Sequence, residues 1–354
     1  GDPACLLIIE FLDDSAEVAR ERAEQAAASL SSATAAPVIC DADEMRRVWD
    51  MRKAGLGLLM GRVSEEKSPS FVEDTAVRVA DLPDYIRDFQ ALMQRHGTDC
   101  VFYGHAASGE LHLRPVLDLR SPEGLETMKT MAQEVAELVR HYRGSISGEH
   151  GDGRVRAQFL ETLLGPEMVR LLEQVKQIWD PEGIFNPGKI VFAPPMDQDL
   201  RYHPEWRPAA VDTVFRFRQS NGFAEAIERC NGAGACRKLD FSGGAMCPSY
   251  RASLEEKDTT RGRANLLRQM FTGKNPAGFK STEVREALEF CLGCKACKSE
   301  CPASVDMAAL KSEFLNGWIR EHGASLADRF YGQPMKMYPL ASTFSGLSNA
   351  WMRS

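Results

Sequence analysis

Residues 291–302 read CLGCKACKSECP, and this run decides how the last third of the chain folds. Cys291, Cys294, Cys297 and Cys301 are spaced C-x2-C-x2-C-x3-C, with Pro302 directly behind the last thiol. Three thiolates two residues apart wrap one corner of an iron–sulfur cubane. The fourth, turned away by the proline, ordinarily reaches the other cluster of a two-cluster module. A second Cys-Pro must then complete the first set, and Cys247-Pro248 supplies it. Cys291, Cys294, Cys297 and Cys247 are therefore expected to hold one [4Fe–4S] cluster. The reciprocal set begins at Cys230 and Cys236, with Cys301 as its distant member, but the middle thiolate is replaced by Ala233. Three thiolates can hold a [3Fe–4S] cluster, or a [4Fe–4S] cluster with one non-cysteine ligand, or nothing. The second cluster stays open at this point. Zinc would need only four ligands and leaves the run with its proline unaccounted for.

Outward from this run, the composition is that of an ordinary globular protein. The 354 residues are 44 % hydrophobic and 26 % charged, with a net charge of −7. That balance offers no basic field to nucleic acid. No stretch approaches the ~20 apolar residues that would span a bilayer, and the start shows no signal-peptide pattern. Seven of the 10 cysteines fall between Cys230 and Cys301, while Cys5, Cys40 and Cys100 are scattered. Such clustering reads as metal ligation in a reducing compartment rather than as a disulfide scaffold. The expected location is the cytoplasm, or the inner face of the membrane as a peripheral protein. Both ends read as cut from something larger.

The region before the cysteines predicts an α+β fold, an antiparallel sheet with helices on one face. Strands are expected over residues 5–12, 38–40 and 71–79, and helices over 15–30, 43–59, 83–96, 122–142 and 166–179. Residues 100–106 and 110–117 alternate as a hairpin. Prolines among charges between 192 and 212 mark a linker. The expected partition is 1–192 for the α+β domain, 193–212 for the linker and 213–354 for an α-helical, ferredoxin-type domain. The segment 259–270 (TTRGRANLLRQM) reads equally as a basic helix start near the clusters and as a solvated helix face.

In the hairpin, a two-residue turn at Ser108-Gly109 would set His105 opposite His112, both imidazoles on one face of the sheet. Arg114 follows two residues later on the same face. The loop SGEHGDG (147–153) surrounds Glu149 and His150 with glycines and leaves both side chains presented. Two histidines and a carboxylate form a 2-His-1-carboxylate set suited to zinc, manganese or iron(II). A neighbouring imidazole, His150, can take a proton near neutral pH.

Three motifs in this order, GH-x5-LHL (104–113), SGEHGDG (147–153) and DP-x-G-x-x-NPGK (180–189), resemble the FAD-linked D-2-hydroxy-acid dehydrogenases. With the cysteine module fused behind them, they resemble the bacterial D-2-hydroxyglutarate and D-lactate dehydrogenase type that carries Fe–S on the same chain. The resemblance runs from about Leu6 to Lys311. It implies the FAD-linked oxidase C-terminal fold, a divalent metal on His105, His112 and Glu149, and His150 as catalytic base. It further implies Arg52 as a substrate-carboxylate ligand and Asn186 at the flavin. Where the family hairpin reads GHxGDGNLHLN, this chain has Ala107-Ser108-Gly109-Glu110 in the turn and Arg114 in place of Asn. Arg114 would favour a dicarboxylate by a charge-assisted contact.

The implied activity is oxidation of a small D-2-hydroxy acid to the 2-oxo acid, with D-2-hydroxyglutarate ahead of D-lactate. Electrons would pass from FAD to Fe–S and on to a quinone or soluble carrier. The family's flavin-binding domain precedes this region, and nothing like its phosphate-cradling loop occurs here. The chain alone is therefore expected neither to retain FAD nor to turn over. The alternative reading is a non-catalytic Fe–S electron-transfer subunit that docks a flavoprotein partner.

Overall fold

Helix α3 (Leu82–Arg95) shows why the α+β half folds as it does. Leu82, Tyr85, Phe89, Leu92 and Met93 recur at helical spacing and are all buried, which gives the stripe an amphipathic helix needs against a sheet. Helix α4 (Pro122–His141) repeats the device with Met128, Met131, Val135 and Val139, and starts on a side-chain cap from Ser121 to the Gly124 N–H at 2.9 Å. In the computed structural model, residues 4–60, 64–206, 208, 211–271 and 277–353 are described.

The chain divides into two compact units, 1–59 and 60–354. The first holds α1 (Ala16–Ser29), whose N-cap is Ser15, and α2 (Ala42–Met60). Asp41 accepts the Glu44 N–H at 2.9 Å and so caps α2. The strands expected at 5–12 and 38–40 are not formed. Residues 5–12 run as irregular chain with Leu6 and Leu12 71 % and 83 % exposed. β-Propensity measures the fit to a neighbouring strand, and an apolar run acquires none by composition alone.

The second unit carries a three-stranded antiparallel sheet in the order β1-β3-β2, with β1 (Thr75–Ala76), β2 (Cys100–His105) and β3 (Glu110–Pro115). The strand expected over 71–79 is reduced to β1. The hairpin register also differs from the expectation: His105 faces Glu110 and Tyr103 faces His112. A 3-10 turn over Ala106–Ser108 takes up the chain that a two-residue turn would have left in the strands. Gly109 closes it at φ 74°, and a Cβ there would lie 1.9 Å from the Val77 carbonyl oxygen. The slip is two residues. Pleating has a period of two, so His105, His112 and Arg114 still share one face.

Leu111 and Leu113 turn to the α3/α4 side and join an apolar core with Phe71, Phe89, Met131 and Phe159. Beyond α5 (Leu160–Leu164) and α6 (Pro166–Trp179), residues 193–206 pack rather than float. Met196 belongs to that core and Trp206 is buried beneath the Arg120 guanidinium, 4.3 Å from the ring. A second core gathers from Phe223 onward, and among the described residues there it is built of helices and loops alone. Its helices are α7 (Phe223–Glu228), α8 (Pro248–Ser253), α9 (Thr260–Phe271), α10 (Thr282–Glu289), α11 (Ala296–Glu300) and α12 (Met307–His322). The observed fold is thus α+β followed by an α-helical ferredoxin-type part.

Candidate functional site

The face of β3 that turns away from the helices carries Glu110, His112 and Arg114, all buried. Two segments close over it. Residues 145–148 run beside β1, with Ser145 and Ala76 exchanging backbone bonds at 2.8 and 2.9 Å and the Gly148 N–H reaching the Asp74 carbonyl at 2.7 Å. Gly148 passes directly above Glu110, whose Cγ would lie 2.9 Å from a Cβ there. The second segment is Glu73-Asp74, just before β1 within the stretch expected as a strand, where Asp74 bridges to Ser147.

Asp74 is fully buried and builds the SGEHGDG loop around itself. Its carboxylate accepts the Ser147 hydroxyl at 2.7 Å, the Glu149 N–H at 3.1 Å and the His150 N–H at 2.8 Å. Burial alone would raise its pKa. The bonds from His150, Ser147 and Glu149 outweigh burial and hold it below the usual carboxylate range. Glu73 accepts from His150 Nδ1 at 3.0 Å and pairs with Arg114 at 2.8 Å. The His150 and His112 rings stack with centroids 5.4 Å apart.

The outcome is a cluster in which one donor atom each from His105, Glu110, His112 and Glu149 lies within 4.8 Å of the others. His105 Nε2 stands 3.4 Å from Glu149 Oε1 and 3.8 Å from Glu110 Oε2, and His112 Nδ1 stands 3.2 Å from Glu110 Oε1. Glu73, His112 and His150 form a second, overlapping set. The side chains of His105, His150 and Glu149 are about half exposed, while those of Glu110 and His112 are buried, so the cluster opens to solvent on one side. Burial pushes the Glu110 carboxyl up to about 8, helped by Glu149 and Asp74. Glu149 is held low, first by its bond with Glu110 and then by the nearby imidazoles. Burial lowers His112. A divalent cation fits this donor set, which has two imidazoles and two carboxylates facing one another across the same small space.

Of the expected site residues, His105, His112, Glu149 and His150 are thus brought together. Arg114 lies beside them, with its guanidinium engaged by Glu73, the Ser70 hydroxyl and Tyr103 Oη. Asn186 makes no hydrogen bond to the cluster. It stands exposed at φ 47° in the turn after α6, a segment tied to the loop by the Ile190 N–H to the Gly153 carbonyl at 2.7 Å. Arg52 lies on α2, in the first unit. Glu73, Asp74 and Glu110 were missed.

The seven late cysteines carry free thiols. Cys247, Cys291, Cys294 and Cys297 line one pocket, and Cys301 does not belong to it. Cys301 acts instead on Cys230, together with Cys236. Burial pushes the thiols of Cys230, Cys247 and Cys297 up, and iron taking the proton's place relieves that cost. Thr260, the first residue of α9, contacts the Cys247 sulfur through both its hydroxyl (3.1 Å) and its N–H (3.2 Å). Arg263 on the same helix is buried and bonded to the Asp258 and Ala287 carbonyls, so this segment is no solvated face.

Residues 1–190 match the family described as FAD linked oxidases, C-terminal domain, and residues 226–305 match the 4Fe-4S dicluster domain. The chain is 32 % identical to a D-2-hydroxyglutarate dehydrogenase of Pseudomonas putida, over 88 % of this chain and 34 % of the relative. It is 29 % identical to that of Escherichia coli, over 95 % of this chain and 37 % of the relative. A D-lactate dehydrogenase of Archaeoglobus fulgidus is 31 % identical over 54 % of this chain and 40 % of the relative. The chain therefore spans about a third of the length of the D-2-hydroxyglutarate dehydrogenases it matches. No helix among the described residues is long and apolar enough to cross a membrane.

Proposed function

Because the chain belongs to the FAD-linked oxidases through their C-terminal domain, we propose that it is the substrate-side and Fe–S portion of a flavin-dependent dehydrogenase of D-2-hydroxy acids. The observation that carries this reading is the cluster of His105, His112 and Glu149 on an open face, with His150 anchored beside it. D-2-Hydroxyglutarate is the favoured substrate and D-lactate the next, after the names of the relatives. The partition 1–192, 193–212 and 213–354 belongs to the same proposal, as does a cytoplasmic or membrane-peripheral location.

When bound, a divalent cation supplies Lewis acidity toward a hydroxyl oxygen, and flavin supplies the hydride acceptor. His105, His112 and Glu149 would hold the cation. Glu73 occupies His150 Nδ1, which leaves Nε2 as the nitrogen that takes the substrate's hydroxyl proton. Arg52 would bind a substrate carboxylate. Asn186 would approach the flavin from the turn after α6. That turn and the helix end before it expose Ile178, Trp179, Ile184 and Phe185, an apolar face suited to a flavin-binding domain. Cys247, Cys291, Cys294 and Cys297 would hold a [4Fe–4S] cluster, and Cys230, Cys236 and Cys301 a second one. A quinone or soluble carrier is the onward acceptor.

The same apolar face also suits an electron-transfer subunit that merely docks a flavoprotein. Metal analysis of the purified chain separates the two. About one divalent ion beyond the cluster iron is expected, lost in His112→Ala with the cluster iron unchanged. A chain holding no such ion, or a variant that holds as much as the wild type, sinks the enzyme reading.

A further inference from the structure

Glu110 is the most anomalous side chain of the α+β half. It is 3 % exposed, and neither of its carboxyl oxygens accepts a well-formed hydrogen bond; around them stand the His105 and His112 imidazoles and the carboxylate of Glu149. A buried carboxylate without donors is costly, and ordinary folds avoid it. Its position removes any explanation as a loose surface group. Register pairs Glu110 with His105 across the hairpin, Gly148 closes over its side chain, and an oxygen lies within 4.8 Å of the donor atoms of His105, His112 and Glu149. Two carboxylates aimed into one small space repel unless a proton or a cation stands between them, and a cation ligated there takes the proton's place.

We propose that Glu110 is a fourth protein ligand, so that the site is a 2-His-2-carboxylate centre; this rests on the metal-site reading given above. A four-coordinate zinc ion would be saturated by four protein donors, the pattern of a structural rather than a catalytic site. A six-coordinate ion keeps two places, the number an α-hydroxy acid needs to bind through its hydroxyl and one carboxylate oxygen. The second carboxylate therefore selects manganese(II) or iron(II) over zinc, in keeping with the preference of harder, oxygen-rich sets for six-coordination. The exposed half of the site, His105 and Glu149, leaves the approach for substrate open, and Glu110 and His112 form its floor.

The test is manganese(II) binding to the full chain, prepared anaerobically with its clusters intact and followed by the electron paramagnetic resonance of free Mn2+. Glu110→Gln keeps the shape and removes the charge. It should weaken Mn2+ at least about tenfold, with a smaller loss for Zn2+. A smaller loss of Mn2+ affinity overturns the assignment while leaving the three-ligand site standing. A wild-type chain that binds neither ion removes the metal site itself. Should Glu110→Gln not fold, Glu149→Gln, which alters a half-exposed side chain, provides the second reading. Its Mn2+-minus-apo infrared difference spectrum should still show one carboxylate changing its stretching frequencies, and its absence overturns the proposal.

Discussion

The two candidate sites of this chain are built in opposite ways. The His/Glu cluster rests on a finished structure: β3 has a partner strand on each side, α3 and α4 fill the apolar core beneath it, and Asp74 holds the overlying loop. The cysteine sites are themselves the middle of their core, with Cys230, Cys236, Cys247 and Cys297 counted among its buried residues beside Met246, Leu288 and Val305. The first site is held by packing and hydrogen bonds of its own, with or without an ion. In the second, buried thiols with raised pKa values take the place of packed aliphatic side chains, so inorganic iron–sulfide is part of the core. The first is also open to solvent on one side through His105 and Glu149, whereas in the second Cys247 and Cys297 are buried and Cys294 alone of that set is exposed.

The largest effect that tests this contrast is expected from Cys297→Ser. Iron per chain should fall by about four, and residues 213–354 should become sensitive to limited proteolysis, while the divalent ion at the His/Glu cluster stays. Retained iron, or collapse of both sites together, would erase the distinction between a core that is a cofactor and a core that supports one.

A smaller effect, confined to the other region, is expected from Asp74→Ala. The substitution leaves the Glu149 and His150 N–H groups and the Ser147 hydroxyl without their acceptor. Each buried donor left unpaired costs ~1–3 kcal/mol, so ~3–5 kcal/mol is expected once the loop relaxes. The wild type should also carry an acid dependence that the variant lacks. A carboxyl held low in the folded state contributes stability that is present above its unfolded value of about 3.9 and is lost as pH falls through the folded value. Thermal unfolding near pH 7 and again below pH 4 measures both. Equal midpoints at pH 7 would mean that the loop is held by something other than Asp74.

The same contrast explains what could be read in the sequence. Cluster ligands arise from short spacings, C-x2-C and Cys-Pro, which survive any error in tertiary placement, and Cys247 follows by the same logic although it lies 44 residues from Cys291. The histidine pair was legible because strand parity tolerates a slip of two. The register itself was not, since the 3-10 turn at Ala106–Ser108 depends on Gly109 fitting against Val77. Glu73 and Asp74 fall inside the expected strand over 71–79, but a strand pattern does not say which carboxylate meets which loop, and only tertiary closure brings them under residues 147–150. The two-residue turn expected at Ser108-Gly109 sets Ala107 rather than His105 opposite Glu110, so Glu110 was not read as part of the site. The Arg114–Glu73 pair joins segments about forty residues apart, so it too lies beyond any short-range pattern.

The finest test of the cysteine site concerns Thr260. Its hydroxyl and its N–H both meet the Cys247 sulfur, and its hydroxyl also reaches toward Cys297. Hydrogen bonds to cluster sulfur stabilise the more negative, reduced state more than the oxidised one, and so raise the reduction potential. Thr260→Val removes the hydroxyl contact but keeps the β-branched shape and the backbone N–H bond. Bonds to charged groups contribute ~1.5–3 kcal/mol, and only the part that differs between the two redox states counts here. Taking that part as ~1 kcal/mol, the potential should fall by ~40 mV for a one-electron couple, with the iron content unchanged. Redox titration of the anaerobic chain reads both at once. An unchanged potential would mean that the backbone N–H alone sets the environment of Cys247, and a loss of iron would mean that the threonine holds the loop in place rather than tuning it.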